Sequence, residues 1–431
     1  MKSSLFVFLA LSSSLFSQNL RVYHIDVEQA DATLFVSPSG KTLLVDSGKN
    51  GHGRRIQNVM QLAGVTKINY FVNTHYHEDH YGGIDDLVRA GVQVDSAYDR
   101  GDKDFIPPET KNGSAYKGYD TTIGFRAVHL QRGRTIPFDP NVSVTCISSG
   151  GTVLGENNPP QTGHDENDMS ISLLIQSGAF RYFLGGDIEE TTEQKIADRD
   201  LVTDVDAYQS DHHGSNTSSS ADFMNDLKPS VIVISNGNNG KYEHPRQVTL
   251  DFYAAMSPKP IVFQTNKYLK GGAGGNVGDD FIGDPESSDE DGTVLLTVNT
   301  AAGNFTATYR NKSHTVAIKG GGTTPNVVID RLVPDPVGND TNLEEVTIRN
   351  KGTSSVAMVN WFLQDESGKV WSLASLGTVA GGQSATIRRN GMPMSLNNSG
   401  DEIILFDENR VEMDKFRYGV VGEGVVVSTG H

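Results

Sequence analysis

The sequence predicts an α/β domain followed by an all-β sandwich, and three observations support this prediction. Short β-type runs alternate with segments of helical periodicity over the first three quarters of the chain, which indicates a layered α/β domain. A glycine-rich stretch over 319–325 has the composition of a linker. Beyond it helical periodicity disappears, and glycine turns separate short alternating runs, as in a β-sandwich.

The first domain is predicted to alternate strands with helices that glycines terminate. In chain order its elements are strands over 20–27, 32–36 and 42–45, a helix over 56–62 ending at Gly64, a strand over 68–72, a helix over 84–88 stopped by Gly91, a hairpin of strands over 170–175 and 180–184, and a strand over 231–234. In the second domain the predicted strands are 345–349, 356–363, 384–388 and 402–406.

The amino terminus predicts export. Lys2, an apolar segment over 5–11 and small residues near Ser17 form the pattern of a secretory signal peptide, which we place over 1–18. The apolar segment is too short for a stable anchor, so we expect no membrane span in the mature chain. The predicted location is therefore secreted, periplasmic or at a bacterial cell surface. The predicted domains are then 19–318 and 326–431, joined by the linker.

Charge and cysteine content narrow the chemistry. The formal net charge of −17 argues against binding of nucleic acid through the overall charge of the protein. It does not exclude a nuclease, because bound divalent metal ions reverse the local sign where a phosphate must sit. Cys146, the only cysteine, lies in an alternating strand, which predicts a buried structural thiol and not a nucleophile.

The densest chemical signal is the segment over 73–83, between a predicted strand and a predicted helix. It holds three imidazoles and a carboxylate within six positions, namely His75, His77, Asp79 and His80. Burying all four would be costly unless a positive ion gathers them. In an extended turn His75 and His77 point the same way and can bind one metal ion, while Asp79 and His80 can bind a second.

This His-x-His-x-Asp-His pattern resembles the signature of the metallo-β-lactamase superfamily, and its surroundings resemble the hydrolase domain of the competence protein ComEC. That branch opens with Asp-Val-Gly-Gln-Gly-Asp-Ala, which the segment 26–32 matches with Glu28 and Ala30 in place of two glycines. Its Leu-x-Asp-x-Gly motif is matched by 44–48. The resemblance covers roughly residues 20–310 and implies a four-layered αββα fold.

Two later motifs extend the ligand set that the resemblance implies. Leu-Gly-Gly-Asp at 184–187 places Asp187 where the family has its metal-bridging acid. Asp-His-His-Gly-Ser at 211–215 matches a late family motif, in which His213 is the implied ligand and His212 a neighbouring or substrate-contacting group.

Two histidines keep alternative roles at this stage. His244, in a segment that resembles the family's Tyr-Gly-His-Pro, is expected to bind phosphate or protonate a leaving group, with a structural role as the alternative. His164 lies upstream of Asp187 at the spacing where many family members supply a further histidine to the first metal ion. The competence branch has a polar segment there instead, which 167–170 resembles.

The resemblance implies a metal-dependent hydrolase, with a nuclease-like phosphodiesterase acting on nucleic acid as the preferred activity. One or two zinc ions, or manganese instead, would lower the pKa of a bound water toward about 7 and supply hydroxide that attacks phosphorus. Asp79 and His244 are the expected catalytic groups, and Asp46 and Asp26 are expected to orient ligand histidines. The alternatives are a hydrolase of a small ester, lactone or choline-phosphate diester, and a binding protein with a degenerate metal site.

The carboxyl-terminal run resembles the lamin-tail domain, an Ig-like β-sandwich. The segments that carry the resemblance are 342–352, 359–363, 396–405 and Asp407. Trp361 and Trp371 are predicted to be core aromatic residues and not a ligand platform. The domain is a candidate for contact with a cell surface or with DNA.

Overall fold

The computed structural model describes residues 19–157, 165–286, 292–320, 327–338, 340–352, 355–407, 410 and 412–430. The predicted signal peptide over 1–18 and His164 lie outside these ranges. The chain divides into two compact units, one up to residue 321 and one from residue 322 onwards. Lys319, at the start of the predicted linker, donates to the Asp206 carboxylate and to the Val205 carbonyl. The domain boundaries themselves stay predictions.

Strands and helices alternate through the first unit. Its strands are β1 (Leu20–His24), β2 (Thr33–Val36), β3 (Thr42–Val45), β4 (Lys67–Val72), β5 (Gln93–Asp99), β6 (Val128–His129), β7 (Val142–Ser149), β8 (Thr152–Val153), β9 (Ser172–Ser177), β10 (Phe180–Leu184), β11 (Ala207–Gln209), β12 (Val231–Ile234), β13 (Ile261–Asn266), β14 (Ile282–Asp284), β15 (Val294–Asn299), β16 (Asn304–Tyr309) and β17 (Lys312–Ala317). Its helices are α1 (Gly53–Ala63), α2 (Glu78–Tyr81), α3 (Ile84–Arg89), α4 (Pro108–Asn112), α5 (Ser114–Thr122), α6 (Glu190–Ala197), α7 (Ala221–Leu227) and α8 (Gln247–Ala255).

These strands form two mixed sheets. The first has the order β17-β16-β15-β1-β2-β3-β4-β5-β6 and changes from antiparallel to parallel pairing at β3. The second has the order β14-β13-β12-β11-β10-β9-β7-β8 and changes from parallel to antiparallel pairing at β10. Parallel strands need crossover connections, which the helices supply here.

Three buried clusters hold the layers together. Phe35 of the first sheet and Val144 and Phe263 of the second belong to one cluster, so the two sheets pack face to face. A second cluster joins the first sheet to α1, α3 and α5, and a third joins the second sheet to α6, α7 and α8. The order helix, sheet, sheet, helix confirms the predicted four-layered αββα fold.

The second unit is built from strands around one core. Its elements are β18 (Val327–Val333), α9 (Asp340–Leu343), β19 (Glu345–Asn350), β20 (Val356–Ala357), β21 (Phe362–Asp365), β22 (Val370–Ser372), β23 (Thr378–Val379), β24 (Ser384–Arg388), β25 (Asp401–Phe406), β26 (Glu412–Tyr418) and β27 (Val427–Ser428). The sheets β24-β19-β18-β27 and β22-β21-β25-β26 confirm the predicted sandwich. Trp361 and Trp371 are buried in its core, as predicted.

Two further features bear on the predictions. The strand predicted over 356–363 is broken into β20 and β21, because Asn360 has a φ of 66° and turns the chain between buried Met358 and Trp361. Cys146 is a buried free thiol, and burial raises its pKa, which fits the structural role. None of the helices within the described ranges combines the length and the apolar composition that crossing a membrane requires.

Candidate metal centre

The candidate site lies where strands of both sheets end. The loop after β4 carries His75 and His77, and α2 carries His80. The loop after β10 carries Asp187, and the turn after β11 carries His213. Because parallel strands deliver their carboxyl ends to one edge, residues far apart in sequence meet in this place.

The side chains form two donor groups that share one carboxylate. In the first, His75 Nε2 lies 3.0 Å from His77 Nδ1 and 3.8 Å from Asp187 Oδ2. In the second, one ligand atom each of Asp31, His80, Asp187 and His213 lie within 4.8 Å of one another. His80 Nε2 is 3.2 Å from Asp187 Oδ2, and His213 Nε2 is 3.8 Å from the same oxygen. Asp187 is thus the residue that both groups contain.

Asp79 lies at the margin of the second group. Its Oδ2 is 3.7 Å from His213 Nε2, and its partly exposed side chain lines the cavity above the site. The sequence-based assignment gave Asp79 to the second ion, but the tight group of four contains Asp31 instead.

The donor atoms fit a divalent cation. His80 Nε2, His213 Nε2, Asp31 Oδ2 and Asp187 Oδ1 are buried and have no hydrogen-bond partner among the described residues. Buried polar atoms in folded proteins are nearly always paired, so several unpaired atoms that face one point indicate a missing partner. Imidazole nitrogens with carboxylate oxygens are a donor set that suits zinc, and manganese tolerates the carboxylates.

Charge in the site points the same way. Burial lowers the pKa of His213, but the carboxylates of Asp187 and Asp31 outweigh burial and raise it to about 9. Burial likewise opposes protonation of His80, whereas Asp187 and Asp46 raise its pKa well above the ordinary value. A nearby positive charge therefore stabilises the carboxylates, and either protons on the imidazoles or a metal ion can provide it.

A second layer of groups orients the ligand imidazoles. His80 Nδ1 lies 2.8 Å from Asp46 Oδ2, and Thr74 fixes that carboxylate by donating its N–H to Oδ1 and its hydroxyl to Oδ2, each at 2.8 Å. His213 Nδ1 lies 3.0 Å from the Ser235 carbonyl. With Nδ1 engaged, each Nε2 is directed into the site. Asp46 therefore has the contact that the sequence analysis expected of it.

Asp26 does not have the contact that was expected of it. Its carboxylate accepts from the Glu28 N–H and from the Asn266 amide, and it lies 3.7 Å from the Arg55 guanidinium. Within the described ranges no histidine is among its partners. Burial raises the pKa of Asp26 to about 6. Asp26 supports the fold next to the site and does not orient a ligand.

Sequence analysis did not identify three residues that shape the site. Asp31 lies within the 26–32 motif, but the motif alone predicts no role for it. Arg100 and Glu166 form a buried bidentate pair at 2.8 and 2.7 Å, and Glu166 also accepts from the Tyr76 N–H at 2.7 Å. This pair fixes the loop that carries His75 and His77. Because these contacts join distant segments, no local spacing pattern could reveal them.

His212 and Asn167 lie beside the first donor group. His212 Nε2 is 3.9 Å from Asp187 Oδ2, and its Nδ1 is 3.3 Å from Glu189 Oε1. Asn167 Nδ2 lies 3.4 Å from His212 Nε2, and its buried Oδ1 has no partner in the described chain. Two separate loops therefore present an amide and an imidazole near Asp187, in the lining of the cavity that His77 also lines.

His244 is buried near the second donor group. Its ring centroid is 5.2 Å from that of His212 and 6.4 Å from that of His213. Burial and these two neighbouring imidazoles lower the pKa of His244 to about 3. His244 is therefore neutral near pH 7, so its ring has one N–H donor and one acceptor nitrogen.

A cavity of about 560 Å³ opens onto the centre. Its lining includes His77, Asp79, Asp187, His213 and His244. Three cationic side chains, of Lys49, Lys241 and Arg246, also line it, although the whole chain has a net charge of −17. The acidic side chains of Glu78, Asp79, Asp165 and Asp187 line the same cavity, so its lining combines both charges.

Comparisons with known proteins agree with this geometry. A family model described as the metallo-β-lactamase superfamily matches residues 25–235, and one described as the lamin tail domain matches residues 321–420. The chain is 33% identical over 85 residues to ComE operon protein 3 of Bacillus subtilis, which covers 20% of this chain and 11% of that protein. It is 27% identical over 233 residues to Recombination protein 2 of Haemophilus influenzae, which covers 53% of this chain and 25% of that protein.

The chain thus spans a quarter or less of the length of these curated relatives. Among solved structures it is similar to the metallo-β-lactamase fold protein YhfI from Bacillus subtilis, with 16% identity, 60% of this chain and 98% of that chain covered, and a TM-score of 0.36. The sequence motifs, the layered fold and the family matches lead to one assignment: this chain carries a domain of the metallo-β-lactamase superfamily, followed by a lamin tail domain.

Proposed function

We propose that this chain is an exported, divalent-metal-dependent phosphodiesterase that hydrolyses nucleic acid. The observation that carries the proposal is the set of buried, unpaired nitrogen and oxygen atoms beneath a cavity with cationic side chains. His75, His77 and Asp187 would hold one ion, and Asp31, His80, Asp187 and His213 would hold a second. Zinc, with manganese as the alternative, would supply Lewis acidity and an activated water when bound.

The chain's own residues prepare the site for this chemistry. Asp46 and the Ser235 carbonyl each engage the Nδ1 atom of a ligand imidazole, so that His80 and His213 present Nε2 to the site. Asp79 lies on the cavity side of His213, where its carboxylate can accept a hydrogen bond from the attacking water. A preorganised site of this kind avoids reorganisation during the reaction.

The cavity wall supports an anionic substrate. Arg246 is paired with Glu243 at 2.7 Å, but neither Lys49 nor Lys241 is ion-paired with a carboxylate in the part of the chain that the structure describes. Lysine ammonium groups bind phosphate as point charges. The neutral imidazole of His244 can add one N–H donor toward a phosphate oxygen. Lysines that have no carboxylate partner among the described residues, in the same lining as the metal-donor groups, support a metal-bridged phosphodiester as the bound species.

Two features support nucleic acid among phosphodiesters. The relatives bear the names Recombination protein 2 and Competence protein ComA, and DNA is the molecule handled in recombination and competence. The cavity also has three cationic side chains in its lining, which suits a polyanion. A small ester, a lactone, a choline-phosphate diester and a purely binding role remain the alternatives that the assay below separates.

The decisive experiment compares metal-loaded wild type with Asp187→Asn on single-stranded DNA, bis-p-nitrophenyl phosphate, a choline-phosphate diester, a lactone and a β-lactam. Wild type with zinc or manganese should cleave DNA and the aryl diester, and chelation should abolish turnover. Asp187→Asn should lower kcat by roughly 100-fold or more, because the shared carboxylate no longer holds both ions. Elemental analysis should show a reduced metal content.

Asp222→Asn is the matched control, since it makes the same substitution at an exposed position of α7. It should keep the metal content and the turnover of wild type. Wild-type turnover in Asp187→Asn would contradict the shared-carboxylate mechanism. Turnover of the lactone or the β-lactam alone would replace the phosphodiesterase assignment, and no turnover of any substrate would favour the binding role.

A further inference from the structure

Tyr242 presents an aromatic ring at the cavity. Its exposed fraction is 41%, although Tyr182, Tyr208 and Tyr253 of the same unit are fully buried. It lines the cavity together with the donor residues. An aromatic ring that is exposed in the lining of a cavity is available for contact with a ligand that enters it.

The ring continues a series of aromatic side chains that leads to the donor groups. The Tyr242 centroid is 6.1 Å from the His244 centroid, with 35° between the ring planes. His244 in turn is 6.4 Å from His213, with 27° between the planes. His244 therefore lies between Tyr242 and the donor residue His213. Tyr242 is placed to contact a group next to the reacting atoms and not the reacting atoms themselves.

A cation accompanies the ring. Lys241 Nζ lies 4.7 Å from the Tyr242 ring centroid and donates a hydrogen bond of 2.9 Å to its hydroxyl. The hydrogen bond to Tyr242 and, more weakly, the charge of Asp79 raise the pKa of Lys241, so the ammonium is charged at neutral pH. The pair thus offers a π-face and a positive charge side by side.

The backbone that carries the pair is anchored. The Lys241 N–H donates to Asn239 Oδ1 at 2.8 Å, and the Leu269 N–H donates to Asn238 Oδ1 at 2.9 Å. Glu243 has a φ of 57° and is held by Arg246 at 2.7 Å. A residue kept in the left-handed region by such contacts indicates a turn with a defined shape. Binding would then cost less ordering of the loop.

We propose that Tyr242 and Lys241 form a subsite for the nucleotide next to the scissile phosphate, with the ring stacked on its base and the ammonium on its phosphate. This inference rests on the proposed function and specifies its substrate as unpaired nucleic acid. A base within a duplex is already stacked on both faces, whereas a single strand leaves its faces available to a tyrosine. The selection is insensitive to sequence, because every base has a π-face.

The test measures binding and cleavage separately. Binding to the metal-loaded full chain is followed by the fluorescence anisotropy of labelled phosphorothioate oligonucleotides, which resist hydrolysis. The probes are an oligothymidylate, the same backbone with abasic sites, and a duplex. Tyr242→Ala should weaken binding of the oligothymidylate by roughly tenfold or more, which is the scale of one lost base–aromatic stack. It should leave the abasic and duplex probes unchanged, and Tyr242→Phe should bind as wild type does.

Phe125→Ala is the matched control, since Phe125 is 69% exposed and does not line this cavity. Lys241→Gln should weaken oligothymidylate and abasic probes alike and reduce the salt dependence of binding. Equal binding of oligothymidylate and abasic probes by wild type, or equal losses on both in Tyr242→Ala, would overturn the stacking subsite. These binding results stand apart from cleavage: failure of wild type to cleave any diester refutes the proposed function alone.

Discussion

Asp31 occupies the inner wall of the second donor group. Its Oδ1 accepts from the Gln209 amide at 3.0 Å, while its Oδ2 lies 3.7 Å from His213 Nδ1 and 4.0 Å from His80 Nδ1. Gln209 in turn accepts from the Thr33 hydroxyl at 2.6 Å, so the Asp31 carboxylate is held from behind. It therefore contributes a fixed negative charge to the metal centre, whether as a ligand or through the two imidazoles.

Asp31→Asn should lower the affinity for zinc by roughly 10- to 100-fold, the range expected when a group that supports a metal site is lost. The substitution keeps size and shape and removes one negative charge from the second donor group. The affinity is measured by competition with a chromophoric chelator. Asp26→Asn is the control, because Asp26 is also buried and lies in the same segment but contacts Arg55 and Asn266. Equal losses in both variants would assign the effect to the segment and not to Asp31.

Residues whose role depends on local spacing were predictable, and those held by distant contacts were not. His75, His77 and His80 could be identified from their close spacing in one short segment. The structure brings them to one place with Asp187. Asp31 meets its partners only because Gln209, on another sheet, reaches it. The replaced motif glycine at Glu28 was also visible in the sequence, and Glu28 has a φ of 58°, the conformation that favours glycine.

At the scale of elements, α6 is joined to the turn of His213 through buried carboxyl groups. Glu193 of α6 accepts from the N–H groups of Ser219 and Ser220, at 2.6 and 2.7 Å, next to the start of α7. Burial raises the pKa of Glu193 to about 7, although these N–H groups oppose the rise. Burial and the Glu193 charge also raise the pKa of Asp211. The Glu193 carboxyl in this contact therefore changes its protonation state near pH 7.

The folded protein should lose stability between pH 5 and pH 8 because of Glu193. Its folded pKa of about 7 lies above the unfolded value, so its contribution is greatest below the unfolded pKa and is lost as pH rises through 7. The loss should be about 2–3 kcal/mol in the free energy of unfolding. Urea unfolding of wild type and Glu193→Gln, both in chelator, measures it at the two pH values. The variant should show a smaller difference between the two pH values, because its side chain does not ionise; an unchanged difference would refute the assignment.

Elements with a clear period were predictable, and those without one were not. The helix ending at Gly64 matches α1, whose last turn closes on Gly64 with a φ of 73°. In contrast, α4 and α5 were not predicted, because α4 is a short helix that begins at the second of two consecutive prolines and α5 carries glycine and threonines in place of a regular apolar stripe. The broken strand at Asn360 has a different cause: Met358 and Trp361, on either side of the turn, are both buried in the core of the second unit, and this packing sets the turn.

At the scale of the whole molecule, the buried clusters follow the two compact units. Three clusters take all their members from the first unit, and the fourth takes all of its members from the second. The layered fold was predictable because family motifs and strand–helix alternation agree along most of the first unit. The sandwich was predictable from the loss of helical periodicity. The sheet order was not, since β15, β16 and β17 return to pair beside β1 only through long-range contacts.

A chain that ends at Gly320 should therefore fold and keep the metal centre. All the donor residues belong to the first unit, and Lys319 still closes it by donating to Asp206. Domains with their own core can fold alone, so we expect turnover of bis-p-nitrophenyl phosphate within about twofold of the full chain. Full chain and fragment are compared by metal content, thermal melting and turnover of the small diester, and then of single-stranded DNA. If only DNA turnover falls, the lamin tail domain contributes to polymer binding. If the fragment is insoluble, or folded but inactive on the small diester, the two units form one cooperative structure and the proposed boundary is wrong.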